Sequence, residues 1–427
     1  MNQDKNRNNL ADFNLFAVSA GLKETALNTF QTLDTGFLVD KGMIMTKKRK
    51  SETDAGLARG MEEESELFFL GDSFEYGIKF PMMQAQHLAF GLAYALGACA
   101  STAYGIGRAH AITPLLALDM PGFSAAQRYG KTIGKRRAAS NYIDQLSLAC
   151  ARDAWATLDL SIKATGKHED TVYEEKVSAA YNVVSLTLAA NGVAGADAPE
   201  RLANIHAVYA IDPVGGQRVY TEPTAASVAV PAVISVTAIP ASDITVTDWY
   251  IQYVPVEPAW ATFPAKIDEP PLRTTDCSLV VGGKLSAGDI VGGYAIQEDI
   301  KTLTYQVTNA MDMGPRMGGT GTYSNHARRG GRQQIIKLDQ EMRNWILERE
   351  WSKGSYFGAK ISLLGAEFET GKNYGGTLIF PRLGIVDKTI SVDGKVLAEA
   401  GDLRVLEDGT NLTAYAKVWN LETSYAQ

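Results

Sequence analysis

The side chains that most often carry enzyme chemistry are sparse in this sequence and lack recognisable spacing. Its histidines are scattered, with no HExxH pair or other arrangement typical of metal ligands. They are His87, His110, His168, His206 and His326. No GxSxG nucleophile elbow is present, and the acidic cluster at 62–66 is typical of a solvated loop end. We predict no catalytic residue, no bound metal and no enzymatic activity.

Two glycine-rich stretches resemble phosphate-binding loops but differ from them in ways that matter. The segment "GAEFETGKN" (365–373) has a spacing one residue too long, and Asn373 replaces the hydroxyl that binds magnesium. It is also predicted to join two strands, whereas a phosphate loop leads into a helix whose N–H groups hold the phosphate. The segment "GGTG" (318–321) lacks the strand and helix that flank a dinucleotide site. We predict no cofactor.

The three cysteines, Cys99, Cys150 and Cys277, are far apart and odd in number. No CxxC pair or Cys/His cluster accompanies them, so neither a disulfide framework nor a structural zinc site is indicated. We predict reduced, buried thiols. His87 lies in an apolar, helix-like segment, which favours a core or interface histidine over a metal ligand.

Cations, by contrast, are clustered at two places in the chain. The first cluster is the run Lys47, Lys48, Arg49 and Lys50, and the second comprises Arg316, Arg328, Arg329 and Arg332. A basic run often indicates nuclear localisation or nucleic-acid contact. The whole chain is nevertheless acidic, with 41 basic and 48 acidic residues and a net charge of −7. A solvated surface loop is the simplest alternative.

Length and composition predict a soluble protein of two to three domains. The chain has 427 residues, of which 45% are hydrophobic and 21% charged, as in globular proteins. Its polar N-terminus lacks the apolar region of a signal peptide. Residues 80–107 carry no charge, but Gln84, Gln86 and His87 interrupt them, which favours a buried helix over a membrane segment.

Strand patterns dominate the elements that must position these residues. Apolar and polar residues alternate in "ATLDLSIKA", "TLTYQV" and "LTAYAKVW", as in half-buried antiparallel strands. We predict two helices, Met82 to Leu96 and Gln340 to Ser352, the second with Asp339 as its N-cap and Gly354 beyond its end. The sequence therefore predicts a mainly β fold.

A similar order of elements surrounds both predicted helices. Before the first we predict a strand at 36–45, a polar loop at 46–66 and a strand at 67–80. Before the second we predict a strand at 301–311, a polar loop at 312–331 and a strand at 333–338. Each cation cluster falls in one of the loops. We interpret this order as an old internal duplication of a strand–loop–strand–helix–strands unit.

Between the two copies the composition changes. The segment 221–271 combines many prolines with Val, Ile, Thr and Trp, which is typical of an all-β sandwich or a strand-rich insert. The predicted boundaries are an N-terminal arm (1–35), a first unit (36–194), an Ig-like β insert (195–275) and a second unit (276–427).

Three stretches resemble the tail tube protein, or major tail protein, of long-tailed bacteriophages. They are "FNLFAVSAGLKETALNTFQTLDTGFLV" (13–39), "FPMMQAQHLAFGLAYALGACASTAYGIGRAHAITPLLALDMPGF" (80–123) and "LTAYAKVWNLETSYAQ" (412–427). The second is similar to the family's helix ending in "LG", followed by a strand with His and "TP" and a turn. The resemblance covers nearly the whole chain except about 195–271.

This resemblance implies a virion protein, assembled in the host cytoplasm, with two antiparallel β-sandwich or barrel units each flanked by one α-helix. In that family the inner sheets join edge to edge around a ring and line a channel for DNA, and a long loop reaches the next ring. A net negative lumen suits DNA passage without specific binding. Implied partners are copies of itself, the tape measure protein inside, and the terminator and baseplate at the ends.

The resemblance also gives the cation clusters a role. Lys47, Lys48, Arg49, Lys50, Arg316, Arg328, Arg329 and Arg332 become candidate contacts between rings or subunits. With two units in a chain, three chains complete a pseudo-sixfold ring; with one unit, six chains are needed. We expect the insert to lie outside the ring.

Two other classes of protein remain open at this point. One is a different structural protein of a phage tail, a baseplate or a cell surface. The other is a carbohydrate-binding or hydrolytic β protein, in which exposed Trp249 and Trp260, with acidic neighbours, form a platform for sugars.

Overall fold

The computed structural model describes residues 14–53, 67–130, 133–180, 182–212, 216–238, 248–256, 258–266, 268–296, 300–314 and 322–426. Within these ranges the chain is mainly β, as predicted, and the strand pairs of the two large sheets described below are antiparallel. Alternation of buried and exposed residues explains the strands: in "TLDLSIKA" the side chains of Leu158, Leu160 and Ile162 are buried, whereas Asp159 and Ser161 are exposed.

The first elements are β1 (Leu15–Val18), β2 (Thr35–Phe37), β3 (Lys47–Thr53), β4 (Leu67–Phe80), α1 (Ala85–Leu96), β5 (Gly97–Tyr104), β6 (Gly107–Pro114), β7 (Phe123–Tyr129), β8 (Gly134–Ala151), β9 (Thr157–Ala164) and β10 (His168–Asp170). The next are β11 (Tyr173–Ser178), β12 (Ser185–Thr187), α2 (Ala198–Ala203), β13 (Ile205–Ile211), β14 (Arg218–Thr221), β15 (Pro223–Ala226), β16 (Val233–Val236) and β17 (Asp248–Tyr253). The last are β18 (Cys277–Val281), β19 (Lys284–Ser286), β20 (Asp289–Val291), β21 (Tyr294–Ile296), β22 (Ile300–Thr308), β23 (Met311–Met313), β24 (Ala327–Arg329), β25 (Gln333–Glu341), α3 (Ile346–Lys353), β26 (Phe357–Glu369), β27 (Lys372–Asp393), β28 (Val396–Val405) and β29 (Tyr415–Asn420).

The described residues form two compact units. The small unit comprises the described residues within Met1–Phe16, Ala126–Arg137 and His168–Pro264, and the large unit comprises the described residues within Ala17–Ala125, Ala138–Lys167 and Ala265–Gln427. This division differs from the predicted boundaries. The predicted units 36–194 and 276–427 both contribute strands to the large unit, and the small unit begins earlier than the predicted insert.

The main sheet of the large unit has eight antiparallel strands. Their spatial order is β3, β4, β9, β8, β22, β25, β28 and β27. At its centre, residues 302–308 of β22 pair with residues 145–151 of β8. A strand from the first half of the sequence thus pairs directly with a strand from the second half.

This sheet consists of two groups of four strands with the same internal order. The first group is β3, β4, β9 and β8, and the second group is β22, β25, β28 and β27. In each group the strand that is second in spatial order, β4 or β25, is followed in the sequence by a helix, α1 or α3. The last two strands of each group form a hairpin. Both hairpins have a β-bulge at the corresponding place, between Ile143 and Gln145 and between Ile385 and Asp387.

A second sheet of the large unit has the order β5, β6, β29, β27, β26, β18 and β21. The long strand β27 belongs to both sheets: residues 372–383 pair with β26, and residues 383–393 pair with β28. The two sheets are therefore continuous at this strand.

Helix α1 packs against strands of both sheets and is buried on all sides. A Cβ added at Gly91 would lie 3.1 Å from Leu158 and 3.2 Å from Leu146 of the main sheet. Leu88 contacts the second sheet, since a Cβ at Gly376 would lie 3.2 Å from it. The helix ends at Gly97, whose φ of 107° suits glycine. The prediction of 82–96 is confirmed except that the helix begins at Ala85.

The second predicted helix was placed too early in the sequence. Gln340 continues β25, where it pairs with Glu399, and α3 begins only at Ile346. Ladder pairing with β28 therefore outweighs the capping pattern at Asp339. Gly354 ends the helix with a φ of 60°, as predicted. No helix in the described ranges is long and apolar enough to cross a membrane.

Both predicted cation-bearing loops also differ from expectation. Residues 47–53 form β3 and are not a loop, and of the strand predicted at 36–45 only β2 is present. In the second loop, β23 and β24 form a short hairpin. Residues 54–66 and 315–321, which include Arg316 and the GGTG segment, lie outside the described residues.

The small unit contains a four-stranded sheet, β11–β17–β13–β14, and a three-stranded sheet, β12–β16–β15. Both sheets contribute side chains to one apolar core, which includes Leu186, Val208, Ile234, Trp249 and Ile251. Prolines and short strands in this part of the chain therefore do accompany a two-sheet arrangement, as predicted for the insert.

Candidate subunit interface

His87 is a core residue of α1 and not a metal ligand within the described residues. Its ring stacks on Phe80 with centroids 4.0 Å apart, and its Nδ1 accepts a hydrogen bond from the Gln84 N–H at 3.2 Å. Burial lowers its pKa from 6.5 to about 3, so the ring is neutral at physiological pH. Across the described ranges no three His, Cys, Asp or Glu residues are grouped to hold a metal ion.

The remaining chemistry-like features also have structural roles. The segment "GAEFETGKN" covers the tight turn from β26 to β27, where Gly371 has a φ of 74° and Lys372 pairs with Glu369 at 2.8 Å. All three cysteines are free thiols, as predicted, but only Cys150 is buried. Trp249 is fully buried in the small unit, so it is unable to present a sugar-stacking surface.

The basic run on β3 is neutralised by its own neighbouring strand. Lys47 Nζ lies 2.9 Å from Asp72, Arg49 Nε lies 3.0 Å from the same carboxylate, and Lys48 pairs with Glu75. Burial raises the pKa of Asp72, but hydrogen bonds from Arg49 and Lys47 outweigh it and hold that pKa below its usual value. The run therefore finds acidic partners inside the chain, and its contact with another ring remains a prediction.

The described arginines of the second cluster differ sharply in environment. Arg328 is half exposed and lies 4.0 Å from Asp119. Arg329 donates to the carbonyl oxygens of Leu115 and Leu116 at 3.3 and 3.4 Å, and burial lowers its pKa. Arg316 lies outside the described residues. Of Arg328 and Arg329, which the structure describes, Arg328 has the side chain that is exposed enough for contact with another copy.

Arg332 has a structural role within the chain. Its Nη2 donates to the carbonyl of Leu96 at 2.7 Å, its Nη1 to that of Leu115 at 3.3 Å, and its Nε to Asn309 Oδ1 at 3.2 Å. The guanidinium thus caps the C-terminus of α1, where carbonyl groups lack helical partners. Sequence reasoning missed this role because Arg332 is 236 residues from Leu96.

The last strand of the main sheet has an edge that the sequence analysis also missed. Over 384–393, β27 pairs with β28, and no other described strand lies beside it there. Val386, Ile390 and Val392 on this segment are 62%, 45% and 71% exposed. We call residues 384–393 the β27 edge. An exposed apolar edge is a template for pairing with another strand. The alternation in "DKTISVD" was the available signal.

The core-facing side of the β27 edge is open around Ile390, whereas Lys388 on the same side is covered by its ion pair with Glu348 of α3. A groove there is lined by Met342, Arg343, Asn344, Trp345, Ile390 and Leu397. Trp345 is 65% exposed and Leu397 is 50% exposed. In the first group, by contrast, α1 packs against the corresponding side, next to Leu146 of β8 and Leu158 of β9. Large exposed apolar side chains at a sheet edge indicate an interaction site.

The opposite face of the main sheet is polar around the junction of the two groups. A shallow groove on it is lined by side chains that include Lys79, Gln145, Ser147, Asp159, Ser161, Gln306 and Thr308. Most of these are uncharged hydroxyl or amide groups, and the two charged ones have opposite sign. Such a face offers no concentrated positive charge to hold phosphate groups.

No family model matches this chain, and no curated protein is found that is similar to it in sequence.

Proposed function

We propose that the protein is a structural subunit that assembles with copies of itself into the stacked rings of a phage tail tube. The resemblance in the sequence suggests this role, and one observation supports it most. The main sheet joins two four-stranded groups of identical order edge to edge, through β8 and β22. Ring assembly needs this kind of junction repeated between chains.

The same observation supports three copies in a ring. Each chain supplies two groups, so three chains supply the six groups of a pseudo-sixfold ring, whereas six chains would be needed if each supplied one. The duplication inferred from the order of elements agrees with this, and so do the matching β-bulges at Ile143/Gln145 and Ile385/Asp387.

In this proposal the polar face of the main sheet lines the channel. Its hydroxyl and amide groups, together with the net charge of −7, let DNA slide without being held. The sheets β11–β17–β13–β14 and β12–β16–β15 of the small unit are separate from the main sheet, and in this proposal they decorate the outside of the tube. Contacts between rings use exposed cations, such as Lys50 and Arg328, whose side chains are 73% and 56% exposed.

Electron microscopy of the purified, concentrated protein tests the proposal. We expect tubes or stacked rings of uniform diameter. A species that stays monomeric by light scattering at every concentration, with no rings in the images, would contradict it. Glycan binding by such a monomer would instead favour a carbohydrate-binding protein, although Trp249 is buried and Trp260 is half-buried, with the Arg137 guanidinium 4.9 Å from its ring centroid.

A further inference from the structure

The equivalence of the two groups can be followed residue by residue across the sheet. In the second group, one cross-strand row runs through Tyr305, Ile336, Leu403 and Ile385. In the first group, the matching row runs through Tyr76, Ile162 and Ile143. Both rows end on the residue that precedes the β-bulge. Each row faces the core, since all of these side chains except that of Ile385 are fully buried.

The first row is completed by Met45. In β3, Lys47 is opposite Phe74, and extending this antiparallel register by two residues places Met45 opposite Tyr76. Burial alternates over this segment as in a strand: Met43 and Met45 are buried, whereas Ile44 and Thr46 are exposed. Residues 43–48 therefore correspond to residues 303–308 of β22.

The junction inside the chain supplies the register. There, Tyr305 is opposite Leu148, five residues after the first residue of the bulge pair, Ile143. The residue five positions after Ile385 in the second group is Ile390. If the β27 edge repeats the junction of β8 with β22, Met45 of a second copy lies opposite Ile390.

We propose that the β27 edge of one copy pairs antiparallel with residues 43–48 of a second copy, with Met45 opposite Ile390, Thr46 opposite Thr389 and Lys48 opposite Asp387. The proposal rests on the self-assembly proposed above and names the strands and register that produce it. In the single chain, Met43, Met45 and Lys47 have other contacts, which this pairing exchanges or adds to.

The side chains brought together are compatible with this register. Met45 and Met43, whose side chains are buried in the single chain, come opposite Ile390 and Val392, so apolar residues face each other across the two strands. On the other face Lys48 meets Asp387, which is a pair of opposite charge. Lys47 lies opposite Lys388, but each ammonium already has its own carboxylate, Asp72 for the first and Glu399 for the second.

Disulfide trapping tests the register directly. In the double variant Thr46→Cys/Thr389→Cys, the two cysteines of adjacent copies are directly opposite, within the Cα distance that a disulfide requires. We expect oxidation to convert most of the chain into covalent oligomers on non-reducing gels. The matched control, Thr46→Cys/Asp393→Cys, is four residues out of register, about 13 Å along the strand, and is expected to stay monomeric on the gel.

Charge placed on the edge tests the strand. Ile390→Lys/Val392→Lys leaves a charged edge that disfavours strand pairing, while both positions are exposed in the single chain. We expect rings to be lost and the melting temperature of the monomer to change by no more than about 2 °C. Val228→Lys, at a residue of the small unit that is 79% exposed, is the control and should assemble normally.

The outcomes separate the two proposals. Suppose that the wild type forms rings but the Thr46/Thr389 variant does not cross-link, or that the lysine variant still assembles. The proposed strand pairing is then wrong, whereas the proposed tail-tube function still stands. If cross-links form only in the out-of-register control, the register is wrong. If the wild type forms no oligomer at all, both proposals fail.

Discussion

Two buried charged clusters show what individual residues do in the large unit. In the first, Lys388 Nζ lies 2.6 Å from Glu348 and 3.0 Å from Glu399, and the side chains of Lys388 and Glu399 are 2% and 1% exposed. Gln340 donates to Glu399 at 2.6 Å. This cluster joins α3 to the β27–β28 hairpin, because Lys388 of β27 binds both Glu348 of α3 and Glu399 of β28. Removing one partner would leave a buried charge without compensation.

The second cluster centres on Glu269. Its Oε2 accepts the Gln86 N–H at 3.0 Å, at the start of α1, and its Oε1 accepts the Leu421 N–H at 3.1 Å, after β29. Burial raises the pKa of this carboxyl from 4.5 to about 7, even though both N–H groups favour the ionised form. The side chain is 3% exposed. Glu269 therefore joins the helix to the C-terminal segment at a cost that depends on pH.

We predict that burial of the Glu269 carboxyl lowers the free energy of unfolding as the pH rises. Between pH 4.5 and 7 the folded chain holds the Glu269 proton and the unfolded chain does not, so the free energy of unfolding falls by about 1.4 kcal/mol per pH unit, or roughly 3 kcal/mol in total. Glu269→Gln carries no such proton. Urea unfolding at pH 5, 6, 7 and 8 should show a shallower pH slope for this variant than for the wild type.

The comparison of slopes removes the constant cost of the substitution, since a Gln side chain presents an N–H group to one of the two backbone donors. Glu52→Gln, on the exposed part of β3, serves as the control and should keep the wild-type slope. Equal slopes for Glu269→Gln and the wild type would show that Glu269 titrates normally in the folded chain.

At the scale of elements, the stability of α1 depends on a residue far away in sequence. We predict that Arg332→Ala lowers the free energy of unfolding by roughly 3 kcal/mol, because charge-assisted hydrogen bonds to the carbonyl of Leu96 and its neighbours are lost in a buried site. Burial, with the charge of Arg329, lowers the pKa of Arg332 to about 10, so it stays charged at neutral pH. Thermal or urea unfolding measures the loss.

Two further variants make this prediction specific. Arg328→Ala removes a half-exposed arginine from the same sequence cluster and should change the free energy of unfolding by no more than about 0.5 kcal/mol. Arg332→Lys keeps the charge but not the fork of donors, and should be intermediate. Equal stability of Arg332→Ala and Arg328→Ala would refute the capping role.

The elements that the sequence predicts well are those specified by local pattern. Strand β9 follows from alternation in "TLDLSIKA", and α1 follows from its apolar run between Pro81 and Gly97. The pairing of β8 with β22 joins residues about 150 apart, so no local pattern indicates it. The candidate interface is equally hard to predict from the sequence. Its strands alternate visibly, but which edge of the sheet they occupy depends on that distant pairing.

At the scale of the whole molecule, the number of copies in a ring follows from how many groups a chain contributes. Both groups lie in one continuous sheet, and in the proposed assembly the β27 edge of each chain pairs with the first group of the next, so that six groups close with three chains. We therefore predict a ring of about 138 kDa, three copies of the 46.1 kDa chain, with true threefold and approximate sixfold symmetry. Native mass spectrometry of rings and symmetry analysis of tube cross-sections measure these quantities independently. Oxidised Thr46→Cys/Thr389→Cys should give the same number, because a closed ring of three ends the series of covalent species at the trimer. A ring of six chains, with strict sixfold equivalence between them, would mean that the two groups of one chain do not occupy successive positions around the channel.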